Sequence, residues 1–397
     1  MTAATHAQAN LRAIGLEQGL AWATVFLLFV GEIRIPVGGS QLYFPVSLAP
    51  AGALCLLRLG TRSLLVPFGA IALAIVLLAG SISAAASEYV GLRRSLAAAF
   101  PVGAALLAAC ALAGVPDLSK VLRSAVLWGG TLLALWIALL SFKAVTSGLP
   151  FYEAKLLIET PLGRSNYLTA FLLFYVGIAW RRAPALATIG ALAILAAISR
   201  GGMLVLLVFV LLTWANRRGL AGIAASVLIA VSIGGAAVLA FADLGVEAAA
   251  GGGDLVSGLA SPASAGNRVV LWQASRSLLA ESPVLGVGPN GFRSMIEGRP
   301  ELEDVWGPHN AVLTLWLNYG LAGLCAYCVY LGCLLRALGG ARRTPRDADQ
   351  AFVAVLALLF FSLFEPLIGS ASFEVLLAVA YAGGLAQRSH QGDYRRT

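Results

Sequence analysis

Long apolar segments separated by short polar turns recur along almost the whole chain of 397 residues. A stretch of about 20 apolar residues is long enough to cross the hydrocarbon core of a bilayer as an α-helix. The pattern predicts twelve such segments, with centres near Val25, Leu54, Ile75, Ala105, Leu135, Leu173, Ile189, Leu207, Ala230, Leu324, Leu356 and Val379. We therefore predict an all-α polytopic membrane protein with about 12 transmembrane helices, in a single membrane domain over residues 1–397.

One long polar segment, residues 243–308, interrupts this rhythm between the ninth and tenth predicted spans. Its first part is rich in Ala and Gly and has the composition of a linker. Its second part, from Asn267 to Ala280, carries apolar residues at helical spacing. Loops of this length in compact proteins are more often functional than not. We expect a long loop over 243–308 that contains at least one helix.

Composition and charge strengthen the membrane prediction and orient the chain. Hydrophobic residues make up 59% and charged residues 12% of the sequence, whereas soluble domains carry about 25% charged residues. With both termini in the cytoplasm, most of the 27 Lys and Arg residues fall in cytoplasmic loops, as the positive-inside rule requires. The 243–308 loop is then periplasmic. The net charge of +8 indicates contact with membrane lipids, and no basic stripe with interleaved aromatics indicates a nucleic-acid partner.

His309 is the strongest candidate for chemistry because the other two histidines, His6 and His390, lie close to the termini. It occurs in Gly307-Pro308-His309-Asn310, directly after the long polar loop and before an apolar run. A neutral imidazole can accept a proton from a hydroxyl group. Asn310 would orient the imidazole or cap the helix that starts there. The alternative is a histidine at a helix start that is satisfied by a backbone carbonyl.

Three arginines on the predicted outer side form a candidate anion site. Arg200 lies at the turn between the seventh and eighth spans, while Arg268, Trp272 and Arg276 share one helix face at spacings of four residues. Taken singly, they also fit an arginine that reaches a lipid phosphate and a solvated stripe with a cation–π contact. Taken together, their guanidinium groups suit a diphosphate at the membrane surface, because each can bind phosphate oxygens bidentately.

No metal or cofactor is expected. The sequence has no zinc-ligand spacing and no Gly-rich phosphate loop, so metal-independent chemistry is the simpler assumption. Cys325 and Cys328 form a C-x-x-C pattern inside an apolar run, and we expect them to pack in a buried helix rather than to bind a metal.

Three sequence motifs follow one another in a defined order. They are Ser199-Arg200-Gly201-Gly202, then Arg268-x-x-x-Trp272 with Ser282-Pro283-Val284-Leu285-Gly286-Val287-Gly288, then His309-Asn310 with Gly320-x-x-Gly323. With Arg164-Ser165-Asn166-Tyr167 before the sixth span, they cover roughly residues 160–335. Through these motifs the chain resembles the O-antigen ligase and polymerase superfamily of bacterial envelope glycosyltransferases, and is most similar to lipopolysaccharide O-antigen ligase.

This resemblance implies a specific reaction at the periplasmic face of the bacterial inner membrane. The donor is a glycan linked to undecaprenyl diphosphate, the acceptor is a hydroxyl of lipid A–core, and the displacement is inverting and metal-independent. It implies that His309 is the general base and that Arg200 and Arg268 neutralise the departing diphosphate. The remaining predicted substrate-binding residues are Arg276, Trp272, Asn310, Arg164 and Asn166.

Two other functions stay open at this point. A polymerase that extends a glycan on the same lipid-linked donor shares the motifs, and Leu324 and Cys325 stand where the ligase pattern often continues with hydroxyl residues. A transporter or flippase fits the number of spans. It is disfavoured because nearly all charges fall at span ends and no internal repeat is evident.

Overall fold

The computed structural model of the protein describes residues 3–37, 40–61, 64–88, 90–149, 156–197, 199–216, 263–296, 307–340, 348–365 and 367–394. The helices within these ranges are α1 (Ala3–Leu28), α2 (Leu48–Thr61), α3 (Phe68–Ala86), α4 (Leu92–Leu112), α5 (Leu118–Thr146), α6 (Ser165–Ala179), α7 (Pro184–Ala196), α8 (Arg200–Asn216), α9 (Ala263–Glu281), α10 (Gly291–Ile296), α11 (Ala311–Gly340), α12 (Ala348–Ser362) and α13 (Ala371–Tyr394).

The predicted spans coincide with helices wherever the structure describes them. Eleven of the twelve predicted centres lie inside helices, and the ninth, Ala230, lies outside the described residues. Among the described helices, three are long and apolar enough to cross a membrane, namely Phe68–Ala86, Leu118–Thr146 and Ala311–Gly339, and several shorter helices are apolar. The protein is thus a mostly helical membrane protein, while the number of crossings stays a prediction. Within the 243–308 segment, residues 263–296 and 307–308 are described and include α9 and α10, whereas residues 243–262 and 297–306 lie outside the described ranges.

The outer surface of the bundle matches this environment. Large apolar side chains are exposed on several helices, for example Leu56 on α2 and both Leu139 and Phe142 on α5. A continuous apolar surface of this kind is rare on soluble monomers, because each such side chain in water costs free energy. Contact with the apolar tails of membrane lipids removes this free-energy cost.

Helix α13 forms the centre of the bundle, since every residue from Ala371 to Gly384 is buried. It packs on α4 and α11, while α3 packs along α11 and α1 along α5. Small residues allow these close approaches. A Cβ atom placed on Gly130 of α5 would lie 2.3 Å from the ring of Tyr175 on α6, so only glycine fits at that crossing.

Two small β-hairpins accompany the helices and were not predicted from the sequence. Strand β1 (Glu32–Val37) pairs antiparallel with β2 (Ser40–Pro45), and β3 (Glu159–Thr160) pairs with β4 (Gly163–Arg164). The two hairpins contact each other through a hydrogen bond from the Glu32 amide to the Pro161 carbonyl at 3.2 Å. The described fold is therefore all-α with two added hairpins.

The connections divide into two groups, one at each end of the bundle. We call the end that carries both hairpins, the start of α11 and the α12–α13 turn the site end. It is joined by long-range hydrogen bonds, such as the one from the Ser87 hydroxyl to the Val287 carbonyl at 2.6 Å. We call the other end, with the α4–α5 and α6–α7 turns, the opposite end. There Gln18 donates to the Pro116 carbonyl at 3.3 Å.

Candidate functional site

His309 lies at the site end, in the turn that precedes α11. Its backbone adopts a φ angle of 49°, which costs a residue with a Cβ atom about 1–2 kcal/mol. Its Nδ1 atom lies 3.9 Å from Oε2 of Glu365, a carboxylate that is only 8% exposed. A strained backbone that aims an imidazole towards a buried carboxylate is typical of a functional position.

Both neighbours of His309 are held in place by hydrogen bonds. The indole Nε1 of Trp272 on α9 donates to the Pro308 carbonyl at 2.9 Å. The Asn310 side chain accepts from the Leu313 amide at 3.1 Å and donates to the Leu363 carbonyl at 3.3 Å. Asn310 is therefore the N-cap of α11, which is one of the two roles that the sequence suggested for it. Contacts from α9, from the first turn of α11 and from the segment after α12 therefore fix the position of His309.

The polar groups of Trp272 and Asn310 contact the backbone, while their predicted role in substrate binding stays a prediction. Trp272 is half-buried. Arg276, one turn further along α9, is exposed. The observed role of Trp272 and Asn310 is therefore to hold the turn that carries His309.

The side chains of Arg200 and Arg268 lie outside the described part of the structure, although their backbones belong to α8 and α9. The predicted meeting of the His309 imidazole with these two guanidinium groups therefore stays a prediction. The structure does describe the backbone at the start of α8, where Arg200 lies.

That helix start is built from the Ser199-Arg200-Gly201-Gly202 motif. The Ser199 hydroxyl caps α8 by accepting the Gly202 amide at 2.9 Å, and it donates to Oδ1 of Asn166 at 2.5 Å. A Cβ atom on Gly201 would lie 2.5 Å from the Phe361 ring, and one on Gly202 would lie 2.6 Å from the Thr169 hydroxyl. The two glycines thus let the start of α8 pack against α6 and against the end of α12, which leads to Glu365.

Arg164 has a more peripheral position. It ends strand β4, its side chain is 70% exposed, and its Nε atom lies 3.9 Å from Oε2 of Glu159. Arg34 on β1 contacts the same carboxylate at 2.9 Å. Exposed ion pairs of this kind add little to stability. Arg164 therefore belongs to a rim of the site end, and the described contacts link it to Glu159 rather than to His309.

The Ser282–Gly288 motif and the Gly320-x-x-Gly323 motif contact each other. Gly320 has a φ angle of 66° and breaks α11. The Leu321 amide then donates to the Val284 carbonyl, and the Val287 amide donates to the Leu317 carbonyl, both at 2.8 Å. A Cβ atom on Gly320 would lie 2.3 Å from the Val284 oxygen. At the break in α11, the backbone of the Ser282–Gly288 segment forms the hydrogen bonds that an unbroken helix would form within itself.

This contact also fixes α9 above α11. Apolar side chains from both helices and from the turn between them form a separate small core, which includes Leu271, Leu278, Val287, Phe292 and Leu317. Because α9 is held there, Trp272 is brought to Pro308. The motif that contains Arg268, Trp272 and Ser282–Gly288 therefore influences the position of His309 through the packing of α9 on α11.

Two acidic residues lie in or beside the α12–α13 turn, Glu365 within it and Glu374 in the first turn of α13. Glu365 is the carboxylate beside His309. Glu374 is fully buried and accepts hydrogen bonds from the Tyr327 hydroxyl at 2.8 and 2.9 Å and from the Gly369 amide at 3.0 Å. Glu374 therefore holds the turn that carries Glu365. The proline after Glu365 was the only sequence signal for this turn.

Glu32 supports the same region from the first hairpin. Its Oε1 atom accepts a hydrogen bond from the Ser372 amide in the first turn of α13, at 3.0 Å. Burial raises the pKa of Glu32, while the contact with Ser372 and the charge of Arg34 partly oppose that rise. This link could not be predicted from the sequence, because it joins residues from opposite ends of the chain.

The described part of the site end shows no grouping of metal ligands. Within the described ranges, no three His, Cys, Asp or Glu side chains lie close enough together to hold a metal ion. Cys325 and Cys328 are exposed on α11, so the expectation that they are buried is wrong. Their surroundings are those of lipid-facing side chains.

Comparison with known proteins identifies one family. Residues 184–328 match the family model described as O-antigen ligase. No curated protein and no solved structure matches the chain. The matched segment contains Arg200, Arg268, Trp272, Arg276 and His309, and it lies inside the region that carries the sequence resemblance. This match supports the resemblance of the chain to the O-antigen ligase superfamily over residues 184–328.

Proposed function

We propose that the protein is an O-antigen ligase-type glycosyltransferase. It moves a glycan from undecaprenyl diphosphate to a hydroxyl of lipid A–core, at the periplasmic face of the bacterial inner membrane. The observation that carries this proposal is the His309–Glu365 pair, at 3.9 Å, at one end of an apolar helical bundle. His309 also lies inside the segment that matches the O-antigen ligase family.

The pair supplies a general base. As the acceptor hydroxyl attacks the anomeric carbon, its oxygen forms the new glycosidic bond and the bond from that carbon to the diphosphate oxygen breaks, with inversion. The hydroxyl proton passes to Nε2 of His309. Glu365 faces Nδ1, so it orients the ring and stabilises the imidazolium that forms, as carboxylates do beside catalytic histidines.

Arginine side chains neutralise the leaving group. Arg200 and Arg268 contact the departing diphosphate, and each such preorganised contact is typically worth about 2.7–4 kcal/mol. Arg276 and Arg164 support them, while Trp272, Asn166 and Asn310 border the substrates. The driving force comes from the diphosphate itself, and the reaction uses neither a metal ion nor another cofactor.

The orientation follows from charge. Basic residues gather at the opposite end of the bundle, including Arg58, Lys120, Arg123, Arg181, Arg182, Arg336 and Arg388. By the positive-inside rule that end faces the cytoplasm together with both termini, and the site end faces the periplasm. The 243–308 loop then lies in the periplasm beside the site.

A deletion strain tests ligase against polymerase. If the protein is the ligase, cells that lack it accumulate long glycan chains on the lipid carrier, while their lipid A–core carries no glycan. Single repeat units attached to lipid A–core would instead identify a polymerase. The sequence feature that favours this alternative is the presence of Leu324 and Cys325 after Gly323, where the ligase pattern often has hydroxyl residues. Unchanged lipopolysaccharide would contradict both functions.

A further inference from the structure

The carboxyl group of Glu374 is buried beside the turn that carries Glu365 and takes no direct part in the proposed reaction. Its side chain is fully enclosed in the bundle. Within the described residues its hydrogen-bond partners are neutral, namely the Tyr327 hydroxyl on α11 at 2.8 and 2.9 Å and the Gly369 amide at 3.0 Å. Moving a carboxyl group from water into such surroundings costs free energy that an apolar side chain would avoid. Stability alone therefore does not account for Glu374.

The first contact of Glu374 ties it to a rigid part of α11. The buried ring of Tyr327 packs edge-on against Tyr330 at 5.7 Å between ring centroids, and Tyr330 packs in the same way on Tyr381 of α13 at 5.9 Å. The Tyr381 hydroxyl accepts a hydrogen bond from the Gly69 amide of α3 at 3.0 Å. Edge-to-face ring pairs add about 0.5–1.5 kcal/mol each beyond the burial of their area. The Tyr327 hydroxyl is thus held in place by three helices.

The second contact of Glu374 ties it to the backbone of the α12–α13 turn. Gly369 has a φ angle of 92°, in the region that favours glycine. The Ser370 amide donates to the Leu367 carbonyl at 3.1 Å, and the Leu367 amide donates to the Glu365 carbonyl at 2.8 Å. Hydrogen bonds therefore connect the Glu374 side chain to the backbone of Glu365.

Helix α11 holds this turn on both sides of Glu365. Asn310 at the start of α11 donates to the backbone just before Glu365 at 3.3 Å, while Tyr327 acts on the backbone after it, through Glu374. A shift of the turn would change the 3.9 Å distance between Glu365 and His309. A displacement of about 1 Å in a positioned group can cost on the order of 10²-fold in rate.

We propose that Tyr327 is a positioning residue for the transfer reaction. Through Glu374 and the Gly369 amide, its hydroxyl fixes the position of Glu365 beside His309. This inference rests on the proposed function, in which His309 is the general base and Glu365 orients it. A residue that acts in this way contributes to kcat and leaves KM unchanged, because it affects the transition state rather than the binding of substrate.

The test compares Tyr327→Phe with Tyr330→Phe. The full-length proteins are reconstituted in proteoliposomes with undecaprenyl diphosphate-linked glycan and lipid A–core. Tyr327→Phe should lower kcat about ten-fold and change KM less than about two-fold. Tyr330→Phe is the matched control, because Tyr330 is equally buried on the same helix and its hydroxyl has no hydrogen-bond partner in the described part of the chain. It should transfer at the wild-type rate.

A double-mutant cycle separates positioning from a general loss of structure. In a Glu365→Gln background, Tyr327→Phe should change kcat less than about two-fold, because the residue that it positions has already lost its function. An equal loss in both backgrounds would overturn the inference, as would a wild-type kcat for Tyr327→Phe alone. A Glu365→Gln variant as fast as the wild type would contradict the proposed function itself, whatever the behaviour of Tyr327→Phe.

A second variant covers the case in which Tyr327→Phe alone does not fold, as judged by its melting temperature. Tyr327→Phe combined with Glu374→Leu replaces both partners by apolar side chains of similar size, a change that is often nearly neutral for stability. The double variant should show the same loss in kcat of about ten-fold. A folded double variant with the wild-type kcat would overturn the inference.

Discussion

The Nδ1 atom of His309 and the Oε2 atom of Glu365 lie 3.9 Å apart, although one residue precedes α11 and the other follows α12. A hydrogen bond from Asn310 to the Leu363 carbonyl joins the same two turns. Glu374 holds the second turn from below through the Gly369 amide. The distance between imidazole and carboxylate is thus set by the backbone of both turns rather than by two flexible side chains.

Glu365→Gln should lower the rate of glycan transfer about 100-fold or more, because an amide keeps the shape of the carboxylate and does not stabilise an imidazolium. Transfer is measured with purified protein in proteoliposomes that contain lipid-linked donor and lipid A–core. Asp117→Asn, which removes a carboxylate at the opposite end, should transfer at the wild-type rate. A Glu365→Gln variant as fast as wild type would exclude Glu365 from the mechanism.

Arg200→Lys should lower the transfer rate at least ten-fold. The ammonium keeps the positive charge, but it cannot bind two diphosphate oxygens in the planar geometry of a guanidinium. Arg181→Lys, in an exposed turn of the opposite end, is the matched control and should leave the rate unchanged. If the two variants behave alike, Arg200 has no role at the leaving group.

A chelator should not affect the reaction. In the proposed mechanism, guanidinium groups supply the positive charge that a metal ion would otherwise supply. The transfer rate is compared before and after dialysis against EDTA. Inhibition that a single divalent metal reverses would contradict metal-independent chemistry.

Gly320→Ala should lower the thermal stability of the protein. The φ angle of 66° alone costs alanine about 1–2 kcal/mol, and its Cβ atom would lie 2.3 Å from the Val284 oxygen. Gly332→Ala is the control on the same helix, since no atom lies within 4 Å of its Cβ position, and alanine there should be neutral or slightly stabilising. Melting temperatures in detergent measure both. Equal melting temperatures would show that the contact between Val284 and Gly320 does not stabilise the fold.

Local signals in the sequence predicted helices and their starts well. The capping residue Asn310 could be predicted because an N-cap depends on a few neighbouring residues. The Ser199–Gly202 break likewise separated α7 from α8. Periodicity failed where every face is apolar: Cys325 and Cys328 are exposed on α11, and a uniformly apolar helix does not indicate which face meets lipid.

Contacts between distant segments could not be predicted. The pairing of Glu365 with His309 is one example, because their proximity depends on how α11 and α12 pack. The link from Glu32 to Ser372 and the contact between the Ser282–Gly288 and Gly320 motifs depend on tertiary structure in the same way. The order of the motifs along the chain indicated a family, and the fold shows which of these motifs contact each other.

The central claim is that His309 is the general base, and the rate of transfer by His309→Ala tests it most directly. The variant and the control His390→Ala are reconstituted with donor and lipid A–core, and their folding is checked by melting temperature. We predict that His309→Ala melts like the wild type and transfers about 10²–10⁴-fold more slowly, while His390→Ala transfers normally. Wild-type transfer by folded His309→Ala would contradict the mechanism.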